Sequence, residues 1–168
     1  LINDKKRPKI CELGGGYGKL AYFTLKNLDD YCYTGFDLPE ITTLEAYYLS
    51  KCFPNKSSLF FGEANFDNSC LDKFDLIFMP SFEIEKLQEN SVDLFINKHS
   101  LGEMDPDTVK MYIKYICKAS HYIFHINHEI YRNYFSNDKL SLLGSEYPIP
   151  QDEFKLLLRY PNLGDLIS

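Results

Sequence analysis

The stretch Ile10-Cys11-Glu12-Leu13-Gly14-Gly15-Gly16-Tyr17-Gly18 decides the reading of this chain. Pro8 to Leu13 reads as a short apolar strand with Glu12 near its carboxyl end, and an amphipathic helix follows. The turn between them carries almost no side chains, so backbone N–H groups at the helix start can approach a ligand closely. A tight turn with no ligand is the plainer alternative for such a segment taken alone. A dinucleotide fingerprint, G-x-G-x-x-G, would require glycine at positions 14, 16 and 19. Position 19 is Lys19, and the third glycine falls at Gly18. The spacing is therefore G-x-G-x-G, preceded by an acid.

A second acid stands where a nucleoside-binding βαβ unit needs one. Tyr33-Thr34-Gly35-Phe36-Asp37 reads as a second strand ending on a carboxylate, about 20 residues beyond the glycine turn, where ribose hydroxyls are held. Leu38-Pro39-Glu40 follows, and Pro39 can open the next helix without losing a needed N–H. Asp37 as a mere helix cap is the competing reading. The pattern E-x-G-x-G-x-G resembles the first motif of class I S-adenosylmethionine (SAM) dependent methyltransferases.

Composition narrows the class. At 168 residues, 45% hydrophobic and 25% charged, the chain reads as one globular domain over positions 1–168. It begins at Leu1 rather than Met, so it is read as a possible excised segment lacking an N-terminal substrate region. A net charge of −6 argues against binding the nucleic-acid backbone. Lys5-Lys6-Arg7 is the only basic cluster and is expected to be a solvated terminus. No apolar run reaches the length of a membrane span. Five widely spaced cysteines with no C-x-x-C pair fit a reducing, cytoplasmic setting and argue against a cysteine zinc site. Cys11, Cys32 and Cys117 are expected as small core residues.

The elements alternate. A helix is predicted from about Gly18 to Leu28 with Leu20, Phe23 and Leu28 on one face, then a strand over 31–36. A helix from Pro39 to Cys52 carries Ile41, Leu44, Tyr48 and Cys52 at helical spacing, broken by Phe53-Pro54-Asn55-Lys56. Ser58–Gly62 and Phe74–Met79 both resemble strands, and the second is favoured as the third strand of the unit. Val92–Asn97 reads as a buried strand. Asp105 and Pro106 then start a helix whose stripe is Val109, Tyr112, Ile113, Ile116 and Cys117. Tyr122–Asn127 is a further strand, and Phe154–Arg159 a candidate late antiparallel one, with Pro148, Pro150 and Pro161 marking turns. Such alternation predicts an α/β fold, a mostly parallel sheet with helices on both faces and the ligand beyond the strands' carboxyl ends.

The segment Asn97-Lys98-His99-Ser100-Leu101-Gly102-Glu103-Met104 leaves the fourth strand of that unit and is dense in proton donors and acceptors. Together with Glu-Leu-Gly-Gly-Gly-Tyr-Gly at 12–18 and Asp-Leu-Pro-Glu at 37–40, the run at 92–104 resembles bacterial sugar O-methyltransferases over most of positions 8–128. The resemblance implies a Rossmann-like SAM-dependent methyltransferase fold and SAM as cofactor. By that resemblance Glu12 holds the methionine end, Gly14, Gly15, Gly16 and Gly18 admit the ligand, and Asp37 grips the ribose. With Phe74–Met79 as the third strand, Met79, Pro80 or Ser81 borders the adenine; Leu38 is a further cofactor-binding residue, and Asn97 bonds either cofactor or backbone.

Oxygen methylation needs an aligned acceptor and a base, since the cofactor already activates the methyl group. His99 suits the role because neutral imidazole accepts a proton near neutrality; it also stands where the distantly similar plant O-methyltransferases keep a His. Glu103 is placed to orient that ring or to bind a sugar hydroxyl. Structural hydrogen bonding is the competing reading for both. A metal site at His125-Ile126-Asn127-His128-Glu129 is the minority reading, because His125 and His128 point to opposite faces of a strand and cannot close one site unless the strand ends between them; Glu103 and Asp105 are the nearest substitute for a carboxylate cation site. The expectation is a SAM-dependent O-methyltransferase with no metal ligands, acting on a small-molecule acceptor, a sugar or nucleotide sugar. The rivals are a non-catalytic methyltransferase-like interaction module and a nicotinamide-dependent oxidoreductase, the latter disfavoured by Lys19.

Overall fold

The computed structural model describes residues 6–135 and 139–160. Its frame is a six-stranded sheet in the order β3-β4-β2-β1-β5-β6. The strands are β1 (Lys9–Leu13), β2 (Cys32–Asp37), β3 (Ser58–Phe60), β4 (Leu76–Pro80), β5 (Val92–Lys98) and β6 (Ser120–Ile126). All five pairings are parallel. The helices are α1 (Lys19–Leu25), α2 (Pro39–Cys52), α3 (Cys70–Lys73) and α4 (Pro106–Ala119), with 3₁₀ turns at Ser81–Lys86, Ser100–Glu103 and Gly144–Glu146.

A parallel sheet must be covered on both faces, and it is. On one face Ile10, Tyr33, Leu76 and Phe78 pack against Ala21 and Leu25 of α1 and Ala46 and Leu49 of α2. On the other, Cys11, Leu13, Phe36 and Phe95 meet Leu71, Val109, Ile113 and Ile116. The α4 stripe is buried as its spacing predicts, and Asp105 caps the helix by accepting from the N–H groups of Asp107 and Thr108. Cys11, Cys32 and Cys117 are buried, and all five cysteines are free thiols.

Both segments that resemble strands are strands, and the favoured one, β4, is the neighbour of β2, with β3 added to its outer edge. Four other expectations change. The face of α2 is misjudged by apolarity. Thr42, Glu45, Ala46 and Leu49 are the buried residues, while Leu44 is half exposed. Helix α1 ends earlier than Leu28 and buries Ala21 and Leu25, leaving Phe23 half exposed. Phe154–Arg159 is not a strand; Leu156, Leu157 and Leu158 are exposed side by side, without the in–out alternation that pairs a strand with a core. Arg7 is not a solvated terminal charge, since its guanidinium bonds Asp30, Asp75 and the Phe74 carbonyl. Lys5 and Pro161 lie outside the described residues.

The chain places β2, β3 and β4 on one side of β1 and then crosses to β5 on its other side. That reversal leaves a crevice beyond the carboxyl ends of β1 and β5, the usual ligand position in open α/β sheets.

Candidate functional site

The glycine turn is tied to the end of β2 at two points. Gly14 donates its N–H to the Phe36 carbonyl at 2.8 Å. Gly16 donates to Asp37 Oδ2 at 2.9 Å, and Leu38 donates to Asp37 Oδ1 at 2.7 Å. The two acid-bearing motifs thus meet in one place. Burial raises the Asp37 carboxyl above its ordinary range, the two N–H donors oppose that rise, and Glu40 adds to it. Gly14, Gly16 and Gly18 all have positive φ, at 74°, 63° and 87°. A Cβ at Gly16 would meet nothing within 4 Å, so the space above the turn is open.

Glu12 is buried, at 1% exposure, yet borders a cleft of about 190 Å³ whose other walls include Gly14, Gly15, Lys19, Phe23 and Lys98. Burial pushes its carboxyl up to about 7, against the Tyr33 hydroxyl bond; Asp37 pushes the same way, and Lys98 opposes. Behind it lies a residue that sequence reading missed. Glu45 of α2 is wholly buried, and the Tyr33 hydroxyl stands 2.6 Å from its Oε1 and 2.9 Å from Glu12 Oε2. Burial raises Glu45 to about 8, with Glu12 and Asp37 adding to the rise and the Tyr33 bond opposing it. Gly35, beside Glu12 in the β1–β2 register, leaves the room that the Glu45 carboxyl fills. A glycine inside a strand was the available signal, since it commonly marks a close approach.

Asn97 is buried and its amide is taken up within the protein. It donates to the Leu13 carbonyl at 2.9 Å and to Ser100 Oγ at 2.6 Å, and its oxygen accepts from Asn127 Nδ2 at 2.8 Å. Asn127 in turn accepts from the Gly102 N–H. His99 follows directly, with φ 67° and ψ −30°, one of two non-glycine residues with positive φ among those described. Its backbone is pinned on both sides: the N–H donates to the Ile126 carbonyl at 2.7 Å, and the carbonyl accepts from Gly102. Its ring lies 5.7 Å from that of His128, which packs at a tilt against Tyr131 with the Tyr131 hydroxyl 3.0 Å from His128 Nε2. Glu103 is exposed on the same 3₁₀ turn.

Pro80 is buried at the end of β4, Ser81 is half-buried, and Leu38 is exposed at the start of α2. His125 packs on Tyr147 rather than beside His128, and burial lowers its imidazole pKa. Among the described residues no group of three or more His, Cys, Asp or Glu is arranged to hold a metal ion.

Neither a protein-family model nor a curated protein matches the sequence. Solved structures do. The mitomycin 7-O-methyltransferase MmcR superposes with a TM-score of 0.53 at 17% identity, over 78% of this chain and 34% of its own. A protein of Methanococcus maripaludis assigned as a SAM-dependent methyltransferase gives 0.51 at 13% identity, over 76% of this chain and 52% of its own. This chain thus spans between a third and about half of the length of those neighbours. At such identities the likeness speaks to architecture, and it shows that the chain has the Rossmann-like fold of SAM-dependent methyltransferases.

Proposed function

We propose that this chain binds SAM and transfers its methyl group to a hydroxyl of a small polar acceptor, a sugar or nucleotide sugar. One observation carries the cofactor half of the reading. The glycine turn after β1 and the acid at the end of β2 are in direct hydrogen-bond contact at the carboxyl edge of the sheet. The residues present fit such a ligand: the space over Gly16 is open, and an acid borders the cleft beside the turn.

Glu12 would face the cationic amino-acid end, directly or through water, with Gly14, Gly15, Gly16 and Gly18 admitting it. Asp37 would accept from the ribose hydroxyls, and Leu38, Pro80 and Ser81 would flank the adenine. Asn97 would act through the backbone it holds. When bound, the cofactor supplies a sulfonium-activated methyl, so the acceptor oxygen forms a C–O bond as the C–S bond breaks. The chain's part is alignment and removal of the hydroxyl proton. His99 is the base in this reading, and Glu103 orients the ring or the acceptor. The positive φ of His99 supports it, since strained backbone clusters at functional sites.

Calorimetric titration with SAM, S-adenosylhomocysteine and NAD tests the assignment. SAM and S-adenosylhomocysteine should bind and NAD should not; tighter binding of NAD would overturn it. Screening sugars and nucleotide sugars for methyl transfer then tests the acceptor. Binding without transfer to any of them would leave a cofactor-binding module in place of an enzyme.

A further inference from the structure

Between the sheet and α2 lie two carboxyls and one phenol with no basic side chain bonded to them among the described residues: Glu12 on β1, Tyr33 on β2 and Glu45 on α2. Tyr33 Oη is within bonding distance of both acids but owns a single proton. It can donate to only one of them. The other contact requires a carboxylic acid that donates to the phenol oxygen. Geometry says which acid keeps its proton. Glu45 is wholly buried and its Oε2 has no hydrogen-bond partner, whereas Glu12 borders the open cleft. An unpaired oxygen is costly on a buried carboxylate and far less so on a neutral acid.

Space has been cleared for this arrangement. A Cβ at Gly15 would lie 2.7 Å from Glu45 Oε1, and one at Gly35 would lie 2.3 Å from Oε2. Gly15 and Gly35 have no positive φ, so the room they leave, rather than their backbone conformation, accounts for the glycines. We propose that Glu45 stands as a neutral acid donating to Tyr33, that Tyr33 donates to Glu12, and that this chain positions Glu12 to carry the pair's charge toward a cationic amino group in the cleft. The inference rests on the proposed function for the identity of that amino group, the α-ammonium of SAM, and on the geometry alone for the proton.

The groups that act on Glu12 are Tyr33, Asp37 and Lys98, and Lys19 shares its cleft; those that act on Glu45 are Tyr33, Glu12 and Asp37. Tyr33 and Glu45 are positioning residues, so the pH profile is the readout. Affinity for S-adenosylhomocysteine, which keeps the α-ammonium, should rise as Glu12 ionises and level off above about pH 7. Tyr33→Phe removes a donor from the charged form and should move the midpoint up by about one pH unit. Glu45→Gln replaces a neutral donor with a neutral donor and should leave the midpoint where it is. A midpoint that falls markedly in Glu45→Gln would mean that Glu45 is ionised in the native protein, and would overturn the proposal. So would an unchanged profile in Tyr33→Phe. A second arm needs no ligand. Infrared difference spectra between about pH 6 and pH 9 should show two buried carboxylic acids ionising in the wild type and one in Glu45→Gln. The same two bands in the variant would refute the neutral acid even if no nucleoside binds, whereas failure of binding with the expected spectra would refute only the ligand.

Discussion

Gly35→Ala is the most telling single substitution. The new Cβ would stand 2.3 Å from Glu45 Oε2, 2.8 Å from Cδ and 2.9 Å from Oε1. The end of a glutamate side chain is normally free to move aside. Here it is wholly buried, held by Tyr33 and backed by Gly15, so it has nowhere to go. Overpacking of a tight interior costs about 2 kcal/mol, and loss of the Glu45–Tyr33 bond adds about 1 kcal/mol. Reduced freedom of the unfolded chain returns roughly 0.7 kcal/mol. The net expectation is a loss of about 2 kcal/mol, read by urea unfolding. Removing the obstacle should recover most of it. In Gly35→Ala/Glu45→Ala the combined loss should fall short of the sum of the single losses by at least about 1 kcal/mol. Additivity within about 0.5 kcal/mol would show that the two residues do not compete for the same space, and the account of Gly35 would fail with it.

Gly14→Ala should be more severe than Gly35→Ala, because φ is 74° and the Cβ would lie 2.2 Å from Ser100 Oγ and 2.3 Å from Ser100 Cβ; a soluble, cooperatively unfolding variant of near wild-type stability would contradict the turn geometry. Asp37→Ala should weaken SAM binding by about 1.5–3 kcal/mol by calorimetry, through the ribose bonds and the freed Gly16 turn; unchanged affinity in a folded variant would remove Asp37 from the site. Native stability should depend on pH through Glu45. Its carboxyl is raised to about 8, so its contribution is full below the unfolded value near 4.5 and is lost as pH rises through 8. Relative to wild type, Glu45→Gln should therefore gain roughly 3–5 kcal/mol between about pH 5 and pH 9 in thermal or urea unfolding. A constant difference across that range would show that the acid is not protonated natively. His99→Ala should lower turnover on an active acceptor by about 10²–10⁴-fold with SAM affinity nearly intact; full turnover would take His99 out of the chemistry.

What could be read from the sequence was what depends on local pattern. The glycine spacing and the acid after β2 are short-range signals, and the structure brings them together through Gly16 and Asp37. The α4 stripe was legible because every member of it is apolar. The face of α2 was not, because its inward positions include Thr42 and Glu45, which pattern reading assigns to solvent. Only the partner on another strand, Tyr33, together with the room at Gly35, makes a buried glutamate tolerable, and both lie outside any helical window. The favoured neighbour of β2 was the right one, but the place of β3 was hidden, because which edge it joins depends on pairing across the chain and both segments carry the same local signal. Asn97 reads as a polar residue near a site, yet all its side-chain bonds run to Leu13, Ser100 and Asn127, contacts set by tertiary register.

That suture has a consequence for recognition. Where the connection reverses, the chain leaves β1 and β5 toward opposite faces of the sheet, and an unfilled gap between those two exits would open and close with thermal motion. Here the Leu13 carbonyl receives both the Asn97 amide and the Ser100 hydroxyl, while Asn127, just past the end of β6, locks Asn97 from the other side. The width of the mouth is thereby fixed by side chains during folding, and its rigidity has already been met by the entropy lost in that step. A visiting molecule finds walls at their final separation and forfeits little freedom of the protein on arrival. Selection at this mouth works by fit to a set gauge, so bulk added to a ligand where it meets the carboxyl ends of β1 and β5 should be refused rather than accommodated.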